Sequence, residues 1–121
     1  NLTKLRQYGF RLALDGLEDG NCSLCGPYSS LFEIVKISGR ITESSLGSAN
    51  RQGPVCTAVF SAVGSLAASA NVAVCAKNLE TAEDVEIAKA AGFRYGQGFH
   101  WTKPQPIEDM LSWLDRSSML L

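Results

Sequence analysis

The fold is decided by residues 71–99, Asn71-Val-Ala-Val-Cys-Ala-Lys77 followed by NLETAEDVEIAKAAG and Phe93-Arg-Tyr-Gly-Gln-Gly-Phe99. The first seven residues form a short, nearly continuous apolar run. A strand covered on both faces has this character, as in a parallel sheet. Thr81 can cap a following helix, and Asp84 stands three residues on as a capping-box partner. Val85, Ala88 and Ala91 recur at helical spacing. Gly92 ends the helix, and Phe93–Phe99 supplies another strand. A strand, a helix and a second strand in about thirty residues describe a right-handed parallel crossover.

Working outward, the same alternation repeats. Leu2–Tyr8 reads as the end of a helix, with Leu2 and Leu5 on one face and Gly9 as its stop. Phe10–Asp15 is a strand pattern, Glu33–Ser38 (EIVKIS) is another, and a Ser-, Gly- and Asn-rich loop runs from Gly39 to Gly53. Val55, Ala58, Val59, Ala62, Val63, Leu66, Ala67 and Ala70 mark one face of a helix opened by Pro54. After the last strand, Pro106 opens a final helix. Its first turn carries Glu108 and Asp109, favoured by the helix dipole, and its apolar face is Ile107, Met110, Leu111 and Leu114. The order is β-α-β-α-β-α-β-α. Four such units make half of an eight-unit parallel (β/α) barrel of TIM type. A small open α/β sheet is the alternative, and the phosphate-loop patterns GxGxxG and GxxxxGK that would support it are absent.

The 121 residues carry 11 Lys and Arg against 12 Asp and Glu. This near-neutral, scattered charge argues against nucleic-acid binding, which needs clustered cations. The uncharged stretch from Gly53 to Ala76 is rich in Ser, Ala and Gly and is broken by Asn71. It reads as a buried helix and strand rather than a membrane span. Cys22 and Cys25 form a lone CxxC pair, too few ligands for a zinc site when His100 is the only histidine. Cys56 and Cys75 lie in apolar segments and read as core residues of a reduced, cytoplasmic protein. The first residue is Asn1 rather than Met, which reads as a chain whose start has been cut away.

In a parallel barrel the working residues lie at the carboxyl ends of the strands. Here those ends offer Asp15, Lys36, Lys77 and Gln97, one polar residue per strand beside alternating apolar partners. Polar residues also collect at strand ends simply because strands meet water there.

At these positions the chain resembles the EAL family of cyclic di-GMP phosphodiesterases, specifically the C-terminal half of the family domain. Where that family carries ALDDFGTG, KID, AEGVET and QG followed by KP, this chain reads ALDGLEDG (Ala13–Gly20), KIS (Lys36–Ser38), AKNLET (Ala76–Thr81), Gln97-Gly98 and Lys103-Pro104. The resemblance implies a partial barrel spanning residues 1–121. It also exposes two departures: Gly16 stands for the second acid of the first motif, and Lys77 for the first acid of AEGVET, while Glu80 keeps the second. The family's chemistry uses divalent cations held mainly by carboxylates. A lysine among them is unfavourable, because two unit charges about 4 Å apart repel by about 4 kcal/mol at an effective dielectric of 20. Lys77 can instead pair with Asp15.

These departures imply a degenerate, non-catalytic domain of bacterial cyclic di-GMP signalling, with no enzyme activity, metal or cofactor. The pocket residues are then Asp15, Lys36, Lys77, Glu80 and Gln97. Lys36 and Lys77 can face the phosphates of cyclic di-GMP as a ligand. Another protein or a second copy of the chain is the expected partner, because a half barrel has open edges. The family precedent places such contacts on Gly16–Pro27 and on the helix bearing Val55, Val59, Val63 and Leu66. A fragment of an active metal-dependent phosphodiesterase and an unrelated small α/β interaction module are the alternatives.

Overall fold

The computed structural model describes residues 1–16, 29–38 and 54–117. The elements run α1 (Leu2–Gln7), β1 (Ala13–Leu14), a 3-10 turn (Ser29–Leu31), β2 (Ile34–Ser38), α2 (Pro54–Ser69), β3 (Ala73–Lys77), α3 (Ala82–Ala90), β4 (Tyr95–Gly96) and α4 (Ile107–Ser117). The four strands form one sheet in the order β1-β2-β3-β4. All three pairings are parallel, with Ala13 beside Ile34, Lys36 beside Cys75, Ser38 beside Lys77, and Cys75 beside Tyr95. Sequential parallel strands joined through helices are the architecture of a (β/α) barrel, here a partial one.

The two central strands carry five ladder residues each and the edge strands two each. The expected strands at 10–15 and 93–99 are therefore shorter than read. Among the described residues each edge strand pairs on one side only, and just Ala13–Leu14 and Tyr95–Gly96 enter the ladder. Asn71 and Val72 also fall outside β3, and Asn71 turns the chain with a φ of 54°, a left-handed conformation that Asn tolerates.

The core lies under α2 and α3. Val74 and Ala76 of β3 and Ile37 of β2 meet Phe60, Leu79, Val85, Ala88 and Phe93. The Phe60 and Phe93 rings pack tilted, with centroids 5.3 Å apart. The expected stripe on α2 forms in part: Val63 and Ala67 meet the core, whereas Leu66 is 70% exposed and Phe60, outside the stripe, is buried. One aromatic ring offers more apolar surface than the alanines of the expected stripe, and it takes the inward position. Gly64 permits the approach, since a Cβ there would collide with the carbonyl oxygen of Ala91 at the end of α3.

The capping box at α3 forms as read. Asp84 N–H donates to the Thr81 hydroxyl, and Thr81 N–H donates to the Asp84 carboxylate. Gly92 follows with a φ of 80°. The apolar face of α4 forms as well, but Ile107, Leu111 and Leu114 are exposed.

Candidate functional site

Parallel strands deliver all their carboxyl ends to one side of the sheet, and three side chains converge there. Asp15 follows β1, Lys36 lies in β2, and Lys77 ends β3. The Lys77 ammonium donates to Asp15 Oδ1 at 2.6 Å, and Lys36 Nζ lies 4.0 Å from Oδ2. The pairing expected between Lys77 and Asp15 thus forms, reaching across β2. Asp15 also accepts from the Gly16 N–H at 2.8 Å. The lysine side chains are largely covered, 26% exposed at Lys36 and 19% at Lys77, whereas Asp15 is 59% exposed. Lysine can cover its aliphatic stem while its charged end stays at the surface.

Electrostatics follow from this geometry. The hydrogen bond from Lys77 holds the Asp15 carboxyl below its ordinary range. Partial loss of hydration opposes this, and Gly16 N–H and Lys36 reinforce it. Beneath the cluster, burial pushes the Cys75 thiol up, so it stays protonated at neutral pH. Among these three described side chains, one carboxylate stands between two ammonium groups.

Ser38 and Asn78 extend the rim. Asn78 Nδ2 donates to Ser38 Oγ at 2.9 Å, and Asn78 adopts a φ of 59°. Sequence reading did not single out this pair. The available signal was an Asn directly after a strand, where a left-handed turn suits it. Leu79, next along, was also missed, yet it is among the most deeply buried residues. A lone leucine in a loop shows no periodicity.

Glu80 sits on the loop after β3, where its N–H donates to the Asp84 carboxylate. Gln97 follows β4, held by N–H donation to Ala76 and by accepting from Leu79 N–H. It lines a groove of about 870 Å3 with Phe99, Trp101, Met110, Trp113 and Leu114. Trp101 lies against Gly96, where a Cβ would come within 2.5 Å of the indole. Of the expected pocket residues, Asp15, Lys36 and Lys77 come together, and Glu80 and Gln97 occupy neighbouring strand-end loops. Of the expected contact residues, Val63 packs on the core and Leu66 is exposed. The side chains of Val55 and Cys56, the pair Cys22 and Cys25, and most of the segment Gly16–Pro27 lie outside the described residues.

A divalent-cation site of the kind implied by the resemblance needs several oxygen ligands. Among the described residues no three His, Cys, Asp or Glu side chains are grouped to hold one. At Asp15 the lysine ammonium already takes the carboxylate. A divalent ion about 4 Å from that ammonium would meet about 8 kcal/mol of repulsion at an effective dielectric of 20. The described residues therefore do not fit such an ion.

Parallel strands and helical crossovers define a segment of a TIM-type barrel, and the charged cluster lies at the strand carboxyl ends, where such barrels carry their sites. The model of the EAL domain family matches residues 1–104, and the chain belongs to that family. It is 27% identical over 104 residues to cyclic di-GMP phosphodiesterase PdeA of Borreliella burgdorferi, covering 86% of this chain and 15% of that protein. An EAL domain protein from Listeria monocytogenes superimposes with a TM-score of 0.76 at 21% identity, over 95% of this chain and 44% of that one. The EAL enzyme Bd1971, in a cGMP-bound form, gives 0.74 at 23% identity, over 94% and 29%. The phosphodiesterase PaMucR, in complex with cyclic di-GMP, gives 0.65 at 23% identity, over 90% and 42%. The chain thus spans between 15% and 44% of the length of these relatives.

These findings correct one expectation. Gly16 and Lys77 implied that the chain is not an enzyme, yet the curated relative is a phosphodiesterase. Two substituted positions in a segment covering 15% of that protein do not carry the exclusion. Among the described residues no helix is long and apolar enough to cross a membrane.

Proposed function

We propose that this chain supplies one side of a cyclic di-GMP site in an EAL-type barrel, and that the completed domain acts on that dinucleotide. The observation that carries the reading is the convergence of Asp15, Lys36 and Lys77 at the strand carboxyl ends of a family member. Lys36 and Lys77 would face a phosphodiester, since ammonium groups form charge-assisted hydrogen bonds to phosphate oxygens. Gln97 and Glu80 stand on adjacent loops within the same rim. The segment is the second half of the barrel in this reading, because its strand-end motifs follow the order of that half in the family.

Titration calorimetry with cyclic di-GMP on the domain containing this chain tests the reading. Lys36→Ala should weaken binding by about 10- to 100-fold, the range of one hydrogen bond to a charged group. Binding unaffected by Lys36→Ala, or no binding at all, would remove the proposal.

A second reading concerns contacts with protein. Apart from Leu66, the large apolar side chains left exposed among the described residues belong to the segments before β1 and after β4. Leu2, Leu5, Tyr8 and Phe10 precede β1 in the chain, and Phe99, Trp101, Ile107, Leu111 and Leu114 follow β4. Open edges and exposed apolar surface suit further strands from the same domain, a second copy or another protein. In sedimentation, the isolated 121-residue chain is expected to self-associate. A compact monomer with a cooperative melt would contradict this.

A further inference from the structure

We infer that Lys77 acts as a tethered cation at Asp15, so that this end of the sheet holds a phosphodiester anion without a divalent metal ion. The inference rests on the cyclic dinucleotide reading above and specifies how the site handles charge. Its basis is geometric. Lys77 Nζ takes Asp15 Oδ1 at 2.6 Å, the Gly16 N–H fixes the same oxygen at 2.8 Å, and Lys36 stands 4.0 Å from the other oxygen. Asp15 is thus oriented by a covalently attached positive charge, the role a bound cation would otherwise fill. Because the Lys77 stem is largely covered, the ammonium is positioned by the sheet rather than by a mobile chain.

The charge count points to the ligand class. Among the three described side chains Asp15 offsets one ammonium, and an anionic phosphodiester arriving at the rim would meet the charge of Lys36. A phosphate oxygen at the rim can then accept from Lys36 while Lys77 keeps Asp15 from repelling it. No cation is required for that step, and an added divalent cation would approach the carboxylate against the positive charge of Lys77 on one oxygen and Lys36 near the other.

Two measurements on the domain containing this chain test this. The affinity for cyclic di-GMP should be the same within about twofold in magnesium and in EDTA. Lys77→Glu should lower the affinity at least tenfold in EDTA. Manganese(II) binding, read by electron paramagnetic resonance without nucleotide, should be at least tenfold tighter in Lys77→Glu than in the parent. The further change Asp15→Asn should abolish that gain. Lys77→Met, which keeps the stem, should weaken nucleotide binding without the gain in manganese affinity, and it serves if Lys77→Glu does not fold. A tenfold loss of parent affinity on adding EDTA would overturn the inference. So would manganese binding in the parent that is as tight as in Lys77→Glu and lost with Asp15→Asn. If no variant binds cyclic di-GMP in either buffer, the dinucleotide reading fails, and the manganese comparison still decides what Lys77 does.

Discussion

Helices α3 and α4 both carry an apolar stripe, and they end in opposite situations. In α3 the stripe is modest, yet Val85 and Ala88 are buried against the sheet, Leu79 and Phe93. In α4 acids begin the helix, Arg116 ends it, and the apolar residues line one side, yet none of its residues is buried. The difference is position. Helix α3 connects β3 to β4 and has a sheet and a neighbouring helix to lie on. Helix α4 follows the last strand, where the described sheet ends. A stripe specifies that a face exists, and the strands beside it determine whether that face is covered.

Five substitutions, one of them read through its acid stability profile, sharpen this contrast from the largest expected effect down. Leu79→Ala, in the core that α3 covers, should cost about 2–5 kcal/mol in urea denaturation. A cost below 1 kcal/mol would mean that the α3 side is no better packed than the α4 side. Gly64→Ala pushes a methyl group onto the Ala91 carbonyl between α2 and α3, and should cost about 1–3 kcal/mol. An unchanged melting curve would show that the two helices can move apart freely. Thr81→Ala removes the cap of α3 and should cost about 1 kcal/mol, measured in the same way.

The strand-end ion pair belongs to neither helix and gives a smaller, pH-dependent contribution. The folded Asp15 carboxyl is held below its unfolded range. The pair's contribution is therefore fully present above the unfolded carboxylate range and is lost as pH falls through the folded value. Asp15 is more than half exposed, so screening limits the effect to a few tenths of a kcal/mol up to about 1. Asp15→Asn should flatten that part of the acid stability profile, and an identical slope in the variant would count against the pair. Smallest of all, Leu111→Ala on α4 should change stability by no more than about 0.5 kcal/mol. A loss as large as that at Leu79 would show that the α4 face is covered in solution.

The α3 unit was the most legible part of the sequence, because its strand, cap and stop are local signals. Thr81 and Asp84 cap each other through contacts three residues apart, so spacing alone reveals them. The pairing of Asp15 with Lys77 was also legible, since opposite charges at the ends of parallel strands come to the same rim. Phe60 was harder to place. A stripe counted by periodicity gives Ala58 and Val63 equal weight, whereas packing favours the largest apolar group. The limits of β1 and β4 were least legible, because ladder length at an edge depends on a neighbour that the local sequence does not encode. At Lys77 the family resemblance implied an absent activity, whereas the curated protein that the chain is similar to is a phosphodiesterase.

The brevity of β1 and β4 has a consequence for how the chain behaves when concentrated. Sheet edges are templates on which foreign strands can grow into fibrils. Each edge here offers two ladder residues, Ala13–Leu14 on one side and Tyr95–Gly96 on the other. An incoming strand gains few backbone hydrogen bonds from such a short template. Aggregation seeded at these edges should therefore be slow and driven by apolar side chains, and it should yield amorphous clumps more readily than ordered fibres.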